Sequence, residues 1–298
     1  MDIKLKDAVR AASIEDMRVA LDSGADILHV DEALRSLLHD AIICAHGAEI
    51  IDFLIENGAD VHAKDVRGKT AFHFAVEYAD SAVVKALLKA GAHVNSKDNN
   101  EYTALHWCAV GGDIENLSLL LKAGADIRIR NTQGDSALHL ACKNGKSEAA
   151  KYLLANGLEV NAANNHGNRP LHKAALDADA QTVLVLLQKK ADIEAKSHSL
   201  NTPLHKASRS GNVETMKVLI QNNANIHARN KDGATPLHRA VSAHNKEAVK
   251  LLLESGAKLD SVDKYGHTPA NLASSFVVRD LINEALEKED KAGLADAA

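Results

Sequence analysis

Cysteine is nearly missing from this sequence, and Cys44, Cys108 and Cys142 stand at none of the spacings of a zinc site or a disulfide framework. Each falls in or beside an expected helix, where a cysteine packs as a small apolar residue, so a reducing compartment is the natural setting. Long apolar runs are absent too: none approaches the roughly 20 residues that span a bilayer, and Met1-Asp2-Ile3-Lys4 begins nothing like a signal peptide. The expectation is a soluble cytoplasmic chain, with the nucleus or a host-cell cytosol as other destinations and no membrane partner. Excess positive charge is also lacking. With a net charge of −5 and a pI near 6.3, nothing drives the whole chain toward nucleic acid, which is not expected as a partner. No G-x-S-x-G, Walker A, H-E-x-x-H or glycine-rich dinucleotide loop occurs. No enzyme, catalytic residue or cofactor is therefore expected.

Histidine, by contrast, is placed with regularity. His39, His73, His106, His139, His172, His205 and His238 are separated by 34 residues once and by 33 five times. The only four prolines, Pro170, Pro203, Pro236 and Pro269, all fall two residues before that slot. A fixed period of this length marks a stacked array of one structural module. Such an array buries its core between neighbours, so 298 residues can form one long domain.

The module is written most fully in Asp232-Gly233-Ala234-Thr235-Pro236-Leu237-His238-Arg239-Ala240, followed by apolar Val249, Leu251, Leu252 and Leu253 and then Ser255-Gly256-Ala257. It resembles the ankyrin repeat, from about Leu5 to Glu287. The resemblance implies an all-α repeat solenoid of about nine stacked helix-turn-helix units with β-hairpin fingers. The expected domain is 1–287: an N-terminal capping repeat over 1–29, seven full repeats over 30–262 and a C-terminal capping repeat over 263–287. A charged, flexible polar tail is expected over 288–298. Within a unit, Thr202 caps the first helix and Pro203 takes a position whose N–H has no intrahelical partner. Val213, Met216, Leu219 and Ile220 give the second helix its apolar face, and Gly58, Gly91, Gly124, Gly157 and Gly256 fit left-handed C-caps.

Ligands 33 residues apart on successive layers lie in a row rather than converging on one ion, so no metal site is expected. The resemblance implies instead that each imidazole hydrogen-bonds within and between units. It also implies that function lies on a concave groove lined by fingers and by exposed first-helix positions. The residue after each histidine reads Asp40, Phe74, Trp107, Leu140, Lys173, Lys206 and Arg239. Tyr78 and Tyr102 join its aromatic half and Arg209 its basic half. A second row, before each finger, reads Lys64, Lys97, Arg130, Ala163, Lys196, Arg229 and Val262. The candidate partner-binding residues are thus Phe74, Tyr78, Tyr102, Trp107, Leu140, Lys173, Lys206, Arg209 and Arg239. They suit an extended protein partner with an apolar or aromatic anchor and an acidic segment. The expected role is a monomeric adaptor or scaffold. A stoichiometric inhibitor of an enzyme or transcription regulator, and an effector of an intracellular bacterium, are the alternatives. Asn95 and Asn161 occupy the slot that, by resemblance, is hydroxylated in some such arrays.

Four departures from the pattern predict a weaker stretch: Lys190 and Asn223 replace the C-cap glycine, Leu200 the finger glycine and Arg169 the capping Thr.

Overall fold

The computed structural model describes residues 2–177 and 179–296. Every named element is an α-helix, and the chain divides into two compact units, Met1–Ala137 and Leu138–Ala298. The first holds α1 (Asp2–Arg10), α2 (Ile14–Asp22), α3 (Leu37–Ile43), α4 (Ala48–Glu56), α5 (Ala71–Tyr78), α6 (Ser81–Lys89), α7 (Ala104–Gly111) and α8 (Ile114–Lys122). Beyond α9 (Ala137–Lys143), at the boundary, the second holds α10 (Ser147–Ala155), α11 (Pro170–Asp177), α12 (Ala180–Gln188), α13 (Pro203–Ser210), α14 (Val213–Gln221), α15 (Pro236–Ser242), α16 (Lys246–Glu254), α17 (Pro269–Leu272) and α18 (Phe276–Asp296).

Within each unit, odd helices pack on odd and even on even. In the first, α1, α3, α5 and α7 stack in order while α4, α6 and α8 form the second layer; in the second, α11, α13, α15 and α17 stack beside α10, α12, α14, α16 and α18. Most of these helices run only seven to nine residues, too short to persist alone in water, so the stacking is what makes them stable. Alanines on the first helices, such as Ala41, Ala75, Ala207 and Ala240, let neighbouring backbones approach, and Leu54, Leu87, Leu219 and Leu252 of the second helices fill the space behind them. Each fully buried leucine contributes about 1.5–3 kcal/mol. Phe72 is the one aromatic side chain among the largest fully buried residues.

The periodic histidine organises each unit. The backbone N–H of Thr70 donates to Nδ1 of His73 at 3.1 Å, with the Thr70 hydroxyl 2.9 Å from the same nitrogen. Thr202 with His205 and Thr235 with His238 repeat the arrangement. A backbone N–H can only donate, so Nδ1 accepts and the ring proton sits on Nε2. That proton reaches the loop of the next repeat: His39 donates to the Lys69 carbonyl at 3.1 Å, His172 to Asn201 at 2.9 Å, His205 to Ala234 at 3.0 Å and His238 to His267 at 3.1 Å. In the terminal repeat Asn271 takes the histidine's place, and its carboxamide oxygen accepts from the Thr268 N–H at 3.0 Å.

The fingers are short turns closed by backbone bonds such as Asp65 N–H to the Lys69 carbonyl at 2.9 Å, without extended strands. Among the described residues there is no strand, only the isolated bridges Val30–Ser36 and Lys64–Thr70. The reason is local: the Asp65 carboxylate accepts from the backbone of both Arg67 and Lys69, taking donors that a hairpin ladder needs. Single backbone bonds link successive fingers instead, such as Asn99 N–H to the Arg67 carbonyl at 2.9 Å. The stretch expected as a polar tail, 288–298, is helical over most of its described length. Helix α18 carries its helical backbone to Asp296, and residues 297–298 lie outside the described residues.

The departures at Lys190, Leu200 and Asn223 do occupy the left-handed region, with φ of 63°, 55° and 65°. Arg169 lacks the capping hydroxyl but keeps the backbone N–H bond to His172 that the Thr-capped repeats make, and its guanidinium pairs with Asp192 at 2.8 Å. The equivalent C-cap glycines Gly157 and Gly256 have open space where a β-carbon would sit, so the cost at Lys190 is one of backbone conformation alone. Lys190→Gly is expected to raise unfolding stability by about 1 kcal/mol, read as a higher urea midpoint at unchanged slope.

Burial drives the pKa of His106, His172 and His205 down to about 4. The unfolded chain titrates near 6.5, so between these values it binds more protons than the folded chain. Stability is complete above about pH 6.5 and is lost as pH falls toward 4, on the order of 2 kcal/mol per histidine at pH 5. Melting temperatures between pH 7 and 5 should fall accordingly. A flat profile would contradict the neutral imidazole link.

Candidate functional site

In the first unit the candidate aromatics form one network. Phe74 on α5 meets the His39 ring edge-on at 5.1 Å and lies 6.0 Å from Tyr78; Tyr102, in the loop before α7, packs 5.2 Å from Trp107. At its centre is a residue absent from the sequence-derived set. The Lys69 ammonium lies 3.5 Å from the centre of the Trp107 ring and 5.5 Å from that of Phe74, and pairs with Glu77 at 2.7 Å. Lys69 is only 7% exposed, and a desolvated cation over an indole face contributes about 2 kcal/mol. The Tyr78 hydroxyl donates to the other Glu77 oxygen at 2.7 Å, a bond that pushes its pKa up to about 12. Phe74, Tyr102 and Trp107 are thus half-buried parts of an internally compensated cluster, while Tyr78, at 57% exposure, is its open edge. Among the described residues, the buried Trp107 Nε1–H has no hydrogen-bond partner.

Two members of the first-helix row are framework rather than surface. Leu140, 3% exposed, is packed in the core and is withdrawn as a contact residue, because the position after the histidine faces inward there. Asp40 is likewise buried and pairs with Lys6 at 3.1 Å.

The basic half lies in the second unit. Lys173 is on α11, Lys206 and Arg209 on α13, and Arg239 on α15, with α13 packed against both neighbours. Burial lowers the pKa of the half-buried Lys206, and Arg209, Arg239 and Lys173 lower it further, opposed by Asp177. The sequence suggested a basic track; the structure gathers these cations around Lys206. Arg239 approaches Asp232 only to 3.9 Å. Among the described residues, the side chains of Lys206 and Arg209 make no hydrogen bond or ion pair.

Several cations of the finger row are committed to the framework. Lys64 donates to the Lys97 carbonyl at 3.1 Å and Arg229 to the Val262 carbonyl at 2.7 Å, each spanning to the next loop, and Lys97 pairs with Glu101 at 3.0 Å. Asn95 and Asn161 also tie loops together: their side chains accept from Asp126 N–H at 2.8 Å and Asp192 N–H at 2.9 Å and donate to the carbonyls of Gly124 and Lys190.

No other feature competes as a chemical centre among the described residues. No group of three or more His, Cys, Asp or Glu is placed to hold a metal ion, and no helix is long and apolar enough to cross a membrane. Burial pushes the Cys108 and Cys142 thiols up, away from the reactive thiolate. A groove of about 950 Å³ between α16 and α18 is lined by Leu253, Phe276 and Leu281 and by none of the candidate residues.

Residues 38–131, 105–197 and 195–263 each match a family model described as ankyrin repeats (3 copies). No curated protein matches the chain significantly.

The Lys69 contact has a direct energetic signature. In a double-mutant cycle of Lys69→Met and Trp107→Leu, the coupling energy is expected at about 1–2 kcal/mol from unfolding midpoints. Additive effects would show that the ammonium does not sit on the indole.

Proposed function

Because the chain belongs to the ankyrin-repeat family, whose arrays generally act as protein–protein interaction modules, we propose that it is a non-catalytic adaptor or scaffold. It holds its partner on the exposed positions of its first helices and fingers. The observation that carries this reading is the cation cluster on α11, α13 and α15. Half-burying an ammonium among like charges costs free energy in the isolated chain, and an anionic partner removes that cost on binding. The framework does not need the cluster: the helices are capped and linked through Thr202, His205 and Thr235 without it. Lys64, Arg229 and Lys97, by contrast, are used internally.

The partner is a protein with an anionic segment for Lys173, Lys206, Arg209 and Arg239 and an apolar anchor. On the first unit, exposed Tyr78 supplies the contact for such an anchor, with the compensated Phe74, Tyr102 and Trp107 holding it in place. Aromatic and arginine side chains commonly dominate interface energies.

The test is quantitative capture from a lysate of the source organism, with wild type beside a Lys173→Glu, Lys206→Glu, Arg209→Glu, Arg239→Glu variant whose fold is checked by circular dichroism. The expected result is a partner whose affinity drops at least about tenfold in the variant and weakens with added salt. Equal capture by both would remove the cluster from the interface. Assaying the captured partner with one equivalent of the chain then separates roles, since an inhibitor suppresses its activity and an adaptor leaves it unchanged.

A further inference from the structure

We propose that the cluster formed by Lys173, Lys206, Arg209 and Arg239 is a phosphate-recognition site that binds a phosphorylated side chain of the partner. This rests on the partner-binding reading above and specifies the chemistry of that surface.

The geometry starts with the histidine links. His172, His205 and His238 are each pinned at Nε2 to the following loop, at 2.9, 3.0 and 3.1 Å. Lys173, Lys206 and Arg239, one residue later on three helices, are therefore held at equivalent positions. Packed helices lie about 8–10 Å apart, so long side chains from the outer two can lean toward the middle one. Arg209 follows Lys206 by three residues on α13 and projects from the same face. The acids that face this group are Asp177, at the end of α11, and Asp232, which is 3.9 Å from Arg239. Around Lys206 the cations Arg209, Arg239 and Lys173 act against Asp177, which leaves a positive excess at that place.

The shape of that excess separates phosphate from a run of carboxylates. An extended acidic segment offers one charge per side chain, with same-face neighbours about 6.5–7 Å apart along the strand. It would match cations spaced along a line. A phosphoryl group instead concentrates about −1.5 to −2 charges and three acceptor oxygens at one point. Arg209 and Arg239 supply planar donor forks that fit such oxygens, and Lys206 supplies a partly desolvated point charge between them. A nucleic-acid backbone would need further cations in register with successive phosphates. The finger cations Lys64 and Arg229 are spent on loop carbonyls, and the chain as a whole carries −5.

The experiment uses the full chain and three immobilised peptide libraries, identical except for a central residue that is phosphorylated (Ser, Thr or Tyr), unphosphorylated, or Glu, flanked by randomised positions. Wild type is expected to bind the phosphorylated library at least about tenfold more tightly than either other library. Lys206→Gln with Arg209→Gln should abolish that preference, while Lys217→Gln with Lys250→Gln, an equal charge change on α14 and α16, should preserve it. Both variants are checked for wild-type melting. Equal retention on the Glu library would overturn phosphate recognition while leaving an acidic partner segment in place. Retention on no library, an undiminished preference in the Lys206/Arg209 variant, or tighter binding of a single-stranded oligonucleotide than of the phosphopeptides would each overturn the proposal.

Discussion

The structure depends on an imidazole that must stay neutral. In the repeats of His39, His73, His172, His205 and His238 its Nδ1 accepts from the N-cap backbone of its own helix, and its Nε2–H donates to a carbonyl about 30 residues further along, as in His39 to Lys69. One side chain thus fixes where a first helix starts and where the next loop must lie. Protonating the ring would abolish the Nδ1 acceptor and place a charge in a buried setting. Helices of seven to nine residues need this link because they have little stability of their own.

The same link sets the orientation of the residue that follows. Phe74, Trp107, Lys173, Lys206 and Arg239 all hold that position, yet their surroundings divide them. In the first unit the aromatics receive Lys69, and Lys69 receives Glu77, so charge and quadrupole are satisfied inside the protein. In the second unit Lys206 has cations from its own helix and both adjacent ones, opposed by Asp177, with Asp232 beside Arg239. Identical backbone scaffolding therefore yields an internally paired aromatic cluster in one unit and a cation-rich one in the other.

Much of this framework is legible in the sequence because it is written in local chemistry at a fixed period. Thr-Pro-Leu-His specifies cap, first turn and imidazole, and Lys190, Leu200 and Asn223, read as intruders in glycine slots, do adopt positive φ. What was not legible depends on contacts across the repeat. Lys69 precedes the capping Thr70 and Glu77 lies near the end of α5; nothing in their spacing marks them as partners under Trp107. Leu140 shares its row with Lys173 but is buried, since whether that position faces solvent is decided by neighbouring loops. The finger row misled for a related reason: a period of basic residues looks like a binding track, whereas Lys64 and Arg229 reach 33 residues ahead to satisfy backbone carbonyls.

That last distinction bears on how charge in a repeat array should be interpreted. A cation whose donors are satisfied by the adjoining loop is part of the stack, and neutralising it leaves a carbonyl without its partner. A cation that is partly desolvated and surrounded by its own kind, as Lys206 is, contributes nothing comparable to stacking. Its place on α13, between Lys173 on α11 and Arg239 on α15, is costly to the isolated chain. A concentrated negative charge would offset that cost, which is why the proposed binding surface is the neighbourhood of Lys206 rather than the more numerous finger cations.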